Sequence, residues 1–279
     1  MLGALFFYRT ALSFAYVGKK LYLCSRKGYG LIKRKNMSAI RSILLDAFCP
    51  NTCAQCGKYI ADEEGGQEIC DQCIQRLPRT EQGQLRQNET EMTLAGPTSD
   101  IVRTMKSMHL NRAAAYLFYE KNHPVQGLVY KMKYKDRPGV GYCLGKQAAM
   151  EMMYAGFWDD IVVIVPIPLH VRRMRERGYN QSEYIARGIS EVTGIPVDTT
   201  HVVRLRHTPQ QAKLKASGDA RKANVEGAFA VNHPEQLYHQ HILLVDDLVT
   251  TGETMRSCLK AMKTIRGVTC SVFALCKAR

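Results

Sequence analysis

Apolar residues in the larger, C-terminal part of the chain follow two alternating spacings. Spacing typical of helices runs through residues 125–153, with a break at Arg137-Pro138-Gly139, and through residues 184–192 and 254–265. Continuous apolar runs, typical of buried strands, occupy residues 161–165, 242–245 and 269–275. Because helices and strands alternate in this way, residues 101–279 are predicted to form an α/β domain with a parallel sheet.

Composition divides the preceding residues into three segments. Residues 37–78 contain two cysteine pairs, and residues 79–100 are polar and are interpreted as a linker. Residues 1–36 form a basic leader with eight Lys or Arg side chains and no acid. The rest of the chain holds 31 basic and 25 acidic side chains, so only +6 of the overall net charge of +14 lies outside the leader.

The basic leader has two interpretations. An acid-free basic segment with aromatic residues suits an anionic membrane surface or nucleic acid. Alternatively, Met37 is the initiator, and residues 1–36 are dispensable and not translated. The chain nowhere reaches the roughly 18 uninterrupted apolar residues that a spanning helix needs, so no transmembrane segment is predicted.

The two cysteine pairs have the spacing of a metal site. Cys53 and Cys56, then Cys70 and Cys73, form the pattern C-x2-C-x13-C-x2-C. Two such turns direct four thiolates at one point, which suits a tetrahedral Zn²⁺. With every position filled by cysteine the metal has no open site, so its predicted role is structural. Thiols kept as metal ligands also favour a reducing compartment, and the predicted localisation is cytoplasmic.

Residues 242–254, ILLVDDLVTTGET, predict a ligand site at the end of a buried strand. Asp246 and Asp247 follow the apolar run and can accept hydrogen bonds from two vicinal hydroxyls, and neither is expected to stabilise the fold. The next residues form an anion-binding turn at a helix N-terminus: Thr250, Thr251, Gly252, Glu253 and Thr254. A phosphate held beside a diol describes ribose 5-phosphate. A Walker B strand is the rival interpretation, but the glycine-rich segment 139–147 lacks the spacing of a P-loop.

This segment resembles the signature of type I phosphoribosyltransferases that binds 5-phosphoribosyl 1-pyrophosphate (PRPP). Further stretches are similar to the ComF family (ComF/GntX): residues 130–135, 166–183, 206–214 and 221–229. With the cysteine pairs, the resemblance extends over residues 37–279. It implies a Rossmann-like, phosphoribosyltransferase-like domain preceded by a small zinc-ribbon-like module.

The resemblance also implies ligands and residue roles. PRPP would bind with Mg²⁺ at the acid pair and residues 250–254, and Arg177 and Arg221 would contact its phosphates. No catalytic residue is assigned, and the acceptor is not identified; if the protein is an enzyme, it is a phosphoribosyltransferase. Tyr130 and Tyr134, four residues apart, are expected to pack in the core.

A second function, from another class, stays open at this point. The family resemblance implies a role in DNA uptake during natural transformation. The protein would then be a non-catalytic factor that handles single-stranded DNA together with DNA-processing proteins. Both functions are compatible if the pocket takes a 5′-phosphorylated nucleotide end instead of PRPP.

Overall fold

The computed structural model describes the backbone of residues 13–16, 20–25 and 28–33, and residues 51–60, 67–80, 110–205 and 227–279 in full. The chain divides into two compact units, Met1–Cys70 and Asp71–Arg279. In the first unit, three strands form an antiparallel sheet in the order β1 (Ser13–Tyr16), β2 (Lys20–Ser25) and β3 (Gly28–Lys33). The sequence pattern did not predict these strands in the basic leader.

The second unit alternates helices and strands. Its helices are α1 (Asp71–Gln75), α2 (Pro124–Tyr134), α3 (Gly139–Glu151), α4 (Val171–Arg177), α5 (Gln181–Thr193) and α6 (Glu253–Met262). Its strands are β4 (Ala113–Tyr119), β5 (Val163–Pro166), β6 (Val202–Arg204), β7 (Phe229–Val231), β8 (His241–Val249) and β9 (Thr269–Ala278). The predicted helices and strands are present within a few residues of their expected ends.

Four parallel strands form the central sheet, in the order β4–β9–β8–β5. This confirms the predicted fold class, an α/β domain with a parallel sheet. One face of the sheet packs against α6, where Met255, Leu259 and Met262 join the main hydrophobic core. Strand β4 was not predicted, because its alanine-rich start, Ala113-Ala114-Ala115, has little of the β-branched character typical of strands.

Helices α3 and α5 approach each other closely through two glycines. A Cβ atom on Gly145 would lie 2.3 Å from the carbonyl oxygen of Ile185, and one on Gly188 would lie 2.1 Å from that of Tyr142. No side chain fits at such distances, so this helix pair depends on glycine at both positions. Helix α5 carries one wall of the site described below.

Strand β8 is longer than predicted. Its pairing with β5 ends at Val245, whereas its pairing with β9 continues to Val249. Asp246 and Asp247 therefore lie inside the strand, beyond the end of the β5 ladder, and not after the strand as expected. The longer pairing with β9 compensates for the poor strand propensity of the two acids. Among the described residues, no helix is long and apolar enough to cross a membrane.

Candidate ligand cleft and cysteine cluster

A cleft of about 460 Å³ opens where β8 leaves the β5 ladder. This is the carboxyl edge of the parallel sheet, where α/β proteins commonly bind ligands. Polar residues from six different elements, and the turn before α6, line it: Lys133, Arg173, Arg177, Ser182, Arg204, Asp246, Asp247 and residues 250–254. The cleft therefore brings together the acid pair, the threonine-rich turn and several cations.

The turn at residues 250–254 ends at the start of α6. Gly252 is the N-cap of this helix and has a φ of 74°, a conformation that glycine adopts without strain. The first backbone N–H groups of any helix lack acceptors within the helix and carry partial positive charge. In α6 these N–H groups follow Thr250 and Thr251 closely in the sequence, and both threonines are exposed. The turn has the local chemistry of a phosphate site.

Asp246 is buried at the base of the cleft. One of its carboxylate oxygens, Oδ1, accepts hydrogen bonds from the Ser182 hydroxyl at 3.3 Å and from the Asp247 backbone N–H at 2.9 Å. Burial, together with the neighbouring charge of Asp247, raises the pKa of Asp246 to about 7. A carboxyl group with this pKa is partly protonated near neutral pH. Its protonated form can donate as well as accept a hydrogen bond, which suits recognition of a hydroxyl.

Asp247 forms an ion pair with a residue of another element. Its Oδ2 lies 2.8 Å from Nζ of Lys133, which comes from the last turn of α2. Burial lowers the pKa of Lys133, but the attraction of Asp247 and Asp246 outweighs it, and the net shift is upward. The cation of Lys133 therefore compensates part of the negative charge that the acid pair concentrates in the cleft.

Hydrogen bonds of the segment between α4 and the start of α5 fix one wall of the cleft. Tyr179 donates a hydrogen bond from its hydroxyl to the Met132 carbonyl oxygen at 2.6 Å. Asn180 caps α5 by accepting from the Ser182 N–H, and it donates to the Ile167 carbonyl oxygen at 3.0 Å. Arg177 donates to the side-chain carbonyl of Gln181. These bonds explain why a Gly-Tyr-Asn-Gln-Ser sequence follows Arg177: it anchors the residues that face the acids.

The arginines of α4 separate into two pairs. Arg173 and Arg177, four residues apart, line the cleft. Arg172 and Arg175 are exposed, and Arg172 pairs with Glu176 at 3.1 Å on the solvent side of the helix. Of these four arginines, two therefore form part of the cleft wall and two lie on the solvent-exposed face of the helix.

The structure brings together most of the site residues expected from the sequence. Asp246, Asp247, residues 250–254 and Arg177 all line one cleft. Within this set, the Glu253 carboxylate forms an ion pair with Arg256 at 2.6 Å. Arg221 lies outside the described residues, so its expected role remains a prediction.

Three cleft residues had no expected role: Lys133, Ser182 and Arg204. Lys133 and Ser182 occur within the stretches that resemble the ComF family, and that resemblance was the only signal in the sequence that pointed to them. The expectation for two tyrosines was wrong. Tyr130 and Tyr134 are 50% and 49% exposed and contact each other with ring centroids 5.3 Å apart. Helix α2 turns Leu128, Val129 and Met132 towards the core, which leaves the tyrosines on its outer face.

The four expected cysteine ligands lie together. The sulfur atoms of Cys53, Cys56, Cys70 and Cys73 are all within 4.8 Å of one another. Gly57 follows the first pair with a φ of 74° and donates its N–H to the Cys53 carbonyl oxygen. Burial raises the pKa of Cys53, but N–H groups of Cys56, Cys70 and Gln55 outweigh it and lower the pKa to about 6. This cluster can hold a metal ion.

The fold and the sites define an α/β protein with a polar cleft at the carboxyl edge of its parallel sheet and a four-cysteine cluster near its N-terminus. No family model matches the chain. It is 30% identical to DNA utilization protein YhgH of Salmonella typhi over 157 residues, which are 55% of this chain and 67% of that protein. It is 34% identical to competence protein F of Haemophilus influenzae over 41% of this chain and 50% of that protein. The chain belongs to the ComF family.

Two further similarities cover smaller parts of the proteins compared. The chain is 31% identical to competence protein ComFC of Bacillus subtilis over 35% of this chain and 36% of that protein. A solved structure described as the allosteric regulatory enzyme of purine biosynthesis is 19% identical, with a TM-score of 0.33, over 51% of this chain and 29% of that chain.

Proposed function

We propose that the cleft binds PRPP, the activated ribose phosphate used in phosphoribosyl transfer. The observation that carries this proposal is the convergence of the phosphate-type turn at residues 250–254 and the acid pair Asp246–Asp247 in one cleft. A ligand that fills both subsites must carry a phosphate and, close to it, hydroxyl groups. Ribose 5-phosphate has this arrangement, and PRPP adds a pyrophosphate at the anomeric carbon.

The 5-phosphate would lie on the turn, held by backbone N–H groups at the start of α6 and by the hydroxyls of Thr250, Thr251 and Thr254. The two ribose hydroxyls would donate to Asp246 and Asp247. The cations of Arg173, Arg177 and Arg204 in the same cleft would neutralise the pyrophosphate. The flat guanidinium group suits this role because it can bind two phosphate oxygens at once.

Mg²⁺ fits the same site. It is usually held by substrate phosphates and water with one or two carboxylates, and the cleft offers the carboxylates of the acid pair and Glu253. When bound, Mg²⁺ would supply further charge neutralisation of the pyrophosphate. The residues of this chain would orient the sugar between the turn and the acids.

If the protein is an enzyme, the reaction is displacement at the anomeric carbon. A nucleophile on the acceptor would form a bond to that carbon, and the bond to pyrophosphate would break, with the electron pair leaving on pyrophosphate. The protein would contribute positioning and charge stabilisation.

The metal at the cysteine cluster is proposed to be a structural Zn²⁺. Four thiolates complete a tetrahedral shell and leave no position for a substrate. None of the eight cysteines whose side chains the structure describes forms a disulfide. This supports the proposal that the protein works in a reducing compartment, such as the cytoplasm.

Calorimetric titration with PRPP and Mg²⁺ tests the proposal. The parent protein is expected to bind PRPP, and also ribose 5-phosphate more weakly. Asp246→Asn, which keeps the size of the side chain, is expected to weaken both by at least tenfold. Glu235→Gln changes an acid on the surface, 57% exposed and outside the cleft, and serves as the matched control. Lack of PRPP binding by the parent would refute the proposal.

A second candidate function is binding of single-stranded DNA that carries a 5′-phosphate. Two observations favour it: the relatives are named for DNA utilization and competence, and α4 exposes Arg172 and Arg175 beside the cleft residues Arg173 and Arg177. Its partners would be DNA and DNA-processing proteins. Affinity for a single strand should then fall by roughly 0.7 log units per phosphate contact for each tenfold rise in salt. Affinity that does not depend on salt would exclude this function.

A further inference from the structure

His201 lies at the base of a two-stranded antiparallel ribbon, formed by β6 and β7, that reaches the cleft. Strand β6 begins directly after His201, whose carbonyl oxygen accepts the Asn232 N–H at 2.8 Å. Arg204 is the last residue of β6, pairs with Phe229 of β7 and lines the cleft. A change in the position of His201 therefore reaches a cation of the cleft through one short strand.

Both ring nitrogens of His201 face acceptor oxygens. Its Nδ1 lies 2.5 Å from Oδ2 of Asp198, and its Nε2 lies 2.9 Å from Oε1 of Gln236. A neutral imidazole carries one N–H and can donate to only one of these oxygens, whereas the imidazolium donates to both. The surroundings of the ring therefore favour its charged form.

The two acceptors of His201 belong to different parts of the domain. Asp198 is attached to β5, because its N–H donates to the Ile164 carbonyl oxygen at 2.8 Å. Gln236 belongs to a 3₁₀ turn, Pro234–Leu237, between β7 and β8. The charged ring consequently ties the base of the ribbon both to the edge strand of the central sheet and to the segment that leads into β8.

The charged groups that face His201 favour the same form of the ring. They are Asp198, on the connection before β6, and Glu235, on the 3₁₀ turn. Burial lowers the pKa of His201, but the hydrogen bonds to Gln236 and Asp198 and the two negative charges outweigh it and raise the pKa above its usual 6.5. Burial raises the pKa of Asp198, but hydrogen bonds from Thr200 and His201 outweigh it and lower the pKa. The two side chains therefore form an ion pair until His201 loses its proton.

Arg204, at the other end of the strand, lies near a second cation. Burial and the positive charge of Arg173 lower the pKa of Arg204, and the attraction of Asp246 offsets only part of this effect. The Arg204 guanidinium lies 5.2 Å from the centre of the Phe229 ring, so the ribbon itself directs it. Two neighbouring cations in the lining of one cleft favour the binding of an anion there.

We propose that His201, as an imidazolium, is a positioning residue for the cleft: it fixes the base of the β6–β7 ribbon and thereby the Arg204 guanidinium that meets the phosphates of the ligand. This inference rests on the proposed function and adds a dependence on pH to the same site. Affinity is highest at acidic pH, where the ring is charged, and falls as the ring loses its proton.

Calorimetric titration of the full-length protein with PRPP and Mg²⁺ at pH 6 and pH 9 tests this role. Asp246 also titrates in this range, and PRPP changes its own charge, so the loss of affinity between the two pH values is compared between proteins. That loss should be about threefold to tenfold larger in the parent than in His201→Gln or His201→Arg, neither of which titrates here. His201→Arg keeps a cation and should bind more tightly than His201→Gln at both pH values.

Two further variants distinguish titration of His201 from a merely structural contact. Gln236→Glu places a carboxylate against Nε2, so the midpoint of the His201 titration, followed by NMR of its ring, should move to higher pH. The pH at which PRPP affinity falls should move with it. His233→Asn is the matched control: it removes a histidine that is 72% exposed on the same side of the 3₁₀ turn sequence as Glu235, and asparagine tolerates its φ of 49°. This variant should behave like the parent.

Amide hydrogen exchange of the ligand-free protein separates this inference from the proposed function. The amides of Leu205 and Asn232 donate to the Ala228 and His201 carbonyl oxygens at the two ends of the ribbon. Their protection factors should decrease from pH 6 to pH 9 in the parent and not in His201→Arg. If they do so while PRPP fails to bind at either pH, the proposed function fails and the anchoring of the ribbon by His201 stands. Protection factors that do not depend on pH, or an affinity loss that His201→Gln leaves unchanged, would overturn the positioning role.

Discussion

Lys133 and Asp247, which both line the cleft, form an ion pair that joins helix α2 to strand β8, with Nζ of the lysine 2.8 Å from Oδ2 of the aspartate. Both side chains are largely buried, at 18% and 5% exposed. The pair gives Asp247 a structural role in addition to any contact with ligand. The sequence alone favoured the opposite, that neither acid stabilises the fold. A lysine buried next to the acid changes that expectation for Asp247.

Breaking this pair from either side is expected to destabilise the protein. Lys133→Gln and Asp247→Asn each leave the other charge buried without its partner, at a cost of about 3 kcal/mol in the free energy of unfolding. The double variant should cost clearly less than the sum of the two, and urea denaturation of all four proteins measures this coupling. Strictly additive effects would show that the two charges do not interact in solution.

Asp246 is expected to make stability depend on pH. Its pKa is raised from 3.8 to about 7 in the folded protein, so between these pH values the folded state binds more protons than the unfolded state. This carboxyl group therefore reduces the free energy of unfolding as the pH rises from about 4 to above 7. Asp246→Asn removes the titrating group and with it this pH-dependent decrease in the free energy of unfolding. The variant should therefore gain more stability relative to the parent at pH 8 than at pH 5.

Thermal unfolding at the two pH values checks this expectation. Ser182→Ala is a useful comparison, because it removes a hydrogen bond to Asp246 and leaves the carboxyl group in place. The pH dependence of Ser182→Ala should resemble that of the parent. An Asp246→Asn effect that is equal at pH 5 and pH 8 would contradict a raised pKa.

The sequence predicts the sheet and the turn because their signals are local. Apolar runs mark the buried parts of β5, β8 and β9, and the Thr-Thr-Gly-Glu-Thr segment marks the start of α6. The same is true of the cysteine cluster, where spacing alone defines the ligands. Strand β4 was missed because the burial of its alanines depends on β9, a strand far away in the sequence.

The composition of the cleft depends on contacts that sequence spacing does not encode. Tyr130 and Tyr134 share one face of α2, and the spacing predicts that much, but which face meets the core is decided by the rest of the fold. The same applies to the choice of Arg173 and Arg177 over Arg172 and Arg175. The ion pair of Lys133 with Asp247 joins two segments that are far apart in the sequence, so it can be identified only from the structure.

The close packing of α3 against α5 is expected to reject any side chain at two positions. Gly188→Ala places a Cβ 2.1 Å from the Tyr142 carbonyl oxygen, so the helices must separate, at a cost of about 3 kcal/mol. Gly127→Ala is the matched control: Gly127 lies on the exposed face of α2, with no atom within 4 Å of the new Cβ. That exchange should stabilise by about 0.5–1 kcal/mol, since alanine favours helices. Chemical denaturation that ranks the two variants the other way would contradict this packing.

The cysteine cluster is expected to bind one metal ion per chain, with zinc as the proposed metal. Cys70→Ser removes one of four ligands and should abolish stoichiometric binding. Cys143→Ser, a cysteine outside the cluster, should bind metal like the parent. Elemental analysis of proteins purified without chelator gives the metal content. Since structural zinc and folding are coupled, Cys70→Ser should also increase proteolysis around residues 51–80. Equal metal content in both variants would refute the assigned ligands.

A substitution at Gly252 has two separate effects: it strains the backbone, and it fills space that a ligand would need. A Cβ at this position would meet only Val249 Cγ1, at 3.9 Å, so a side chain here points into open space beside the turn. The φ of 74° makes any other residue strained, and a β-branched one most of all. Gly252→Val should therefore lower the free energy of unfolding by about 1–3 kcal/mol and place its methyl groups where the 5-phosphate is proposed to bind.

Gly194→Val is the matched control, since Gly194 has a φ of 75°, no atom within 4 Å of a new Cβ, and lies outside the cleft. Both variants should lose similar stability, but only Gly252→Val should lose the thermal shift that PRPP and Mg²⁺ produce. An unchanged shift in Gly252→Val would mean that the phosphate does not bind at this turn.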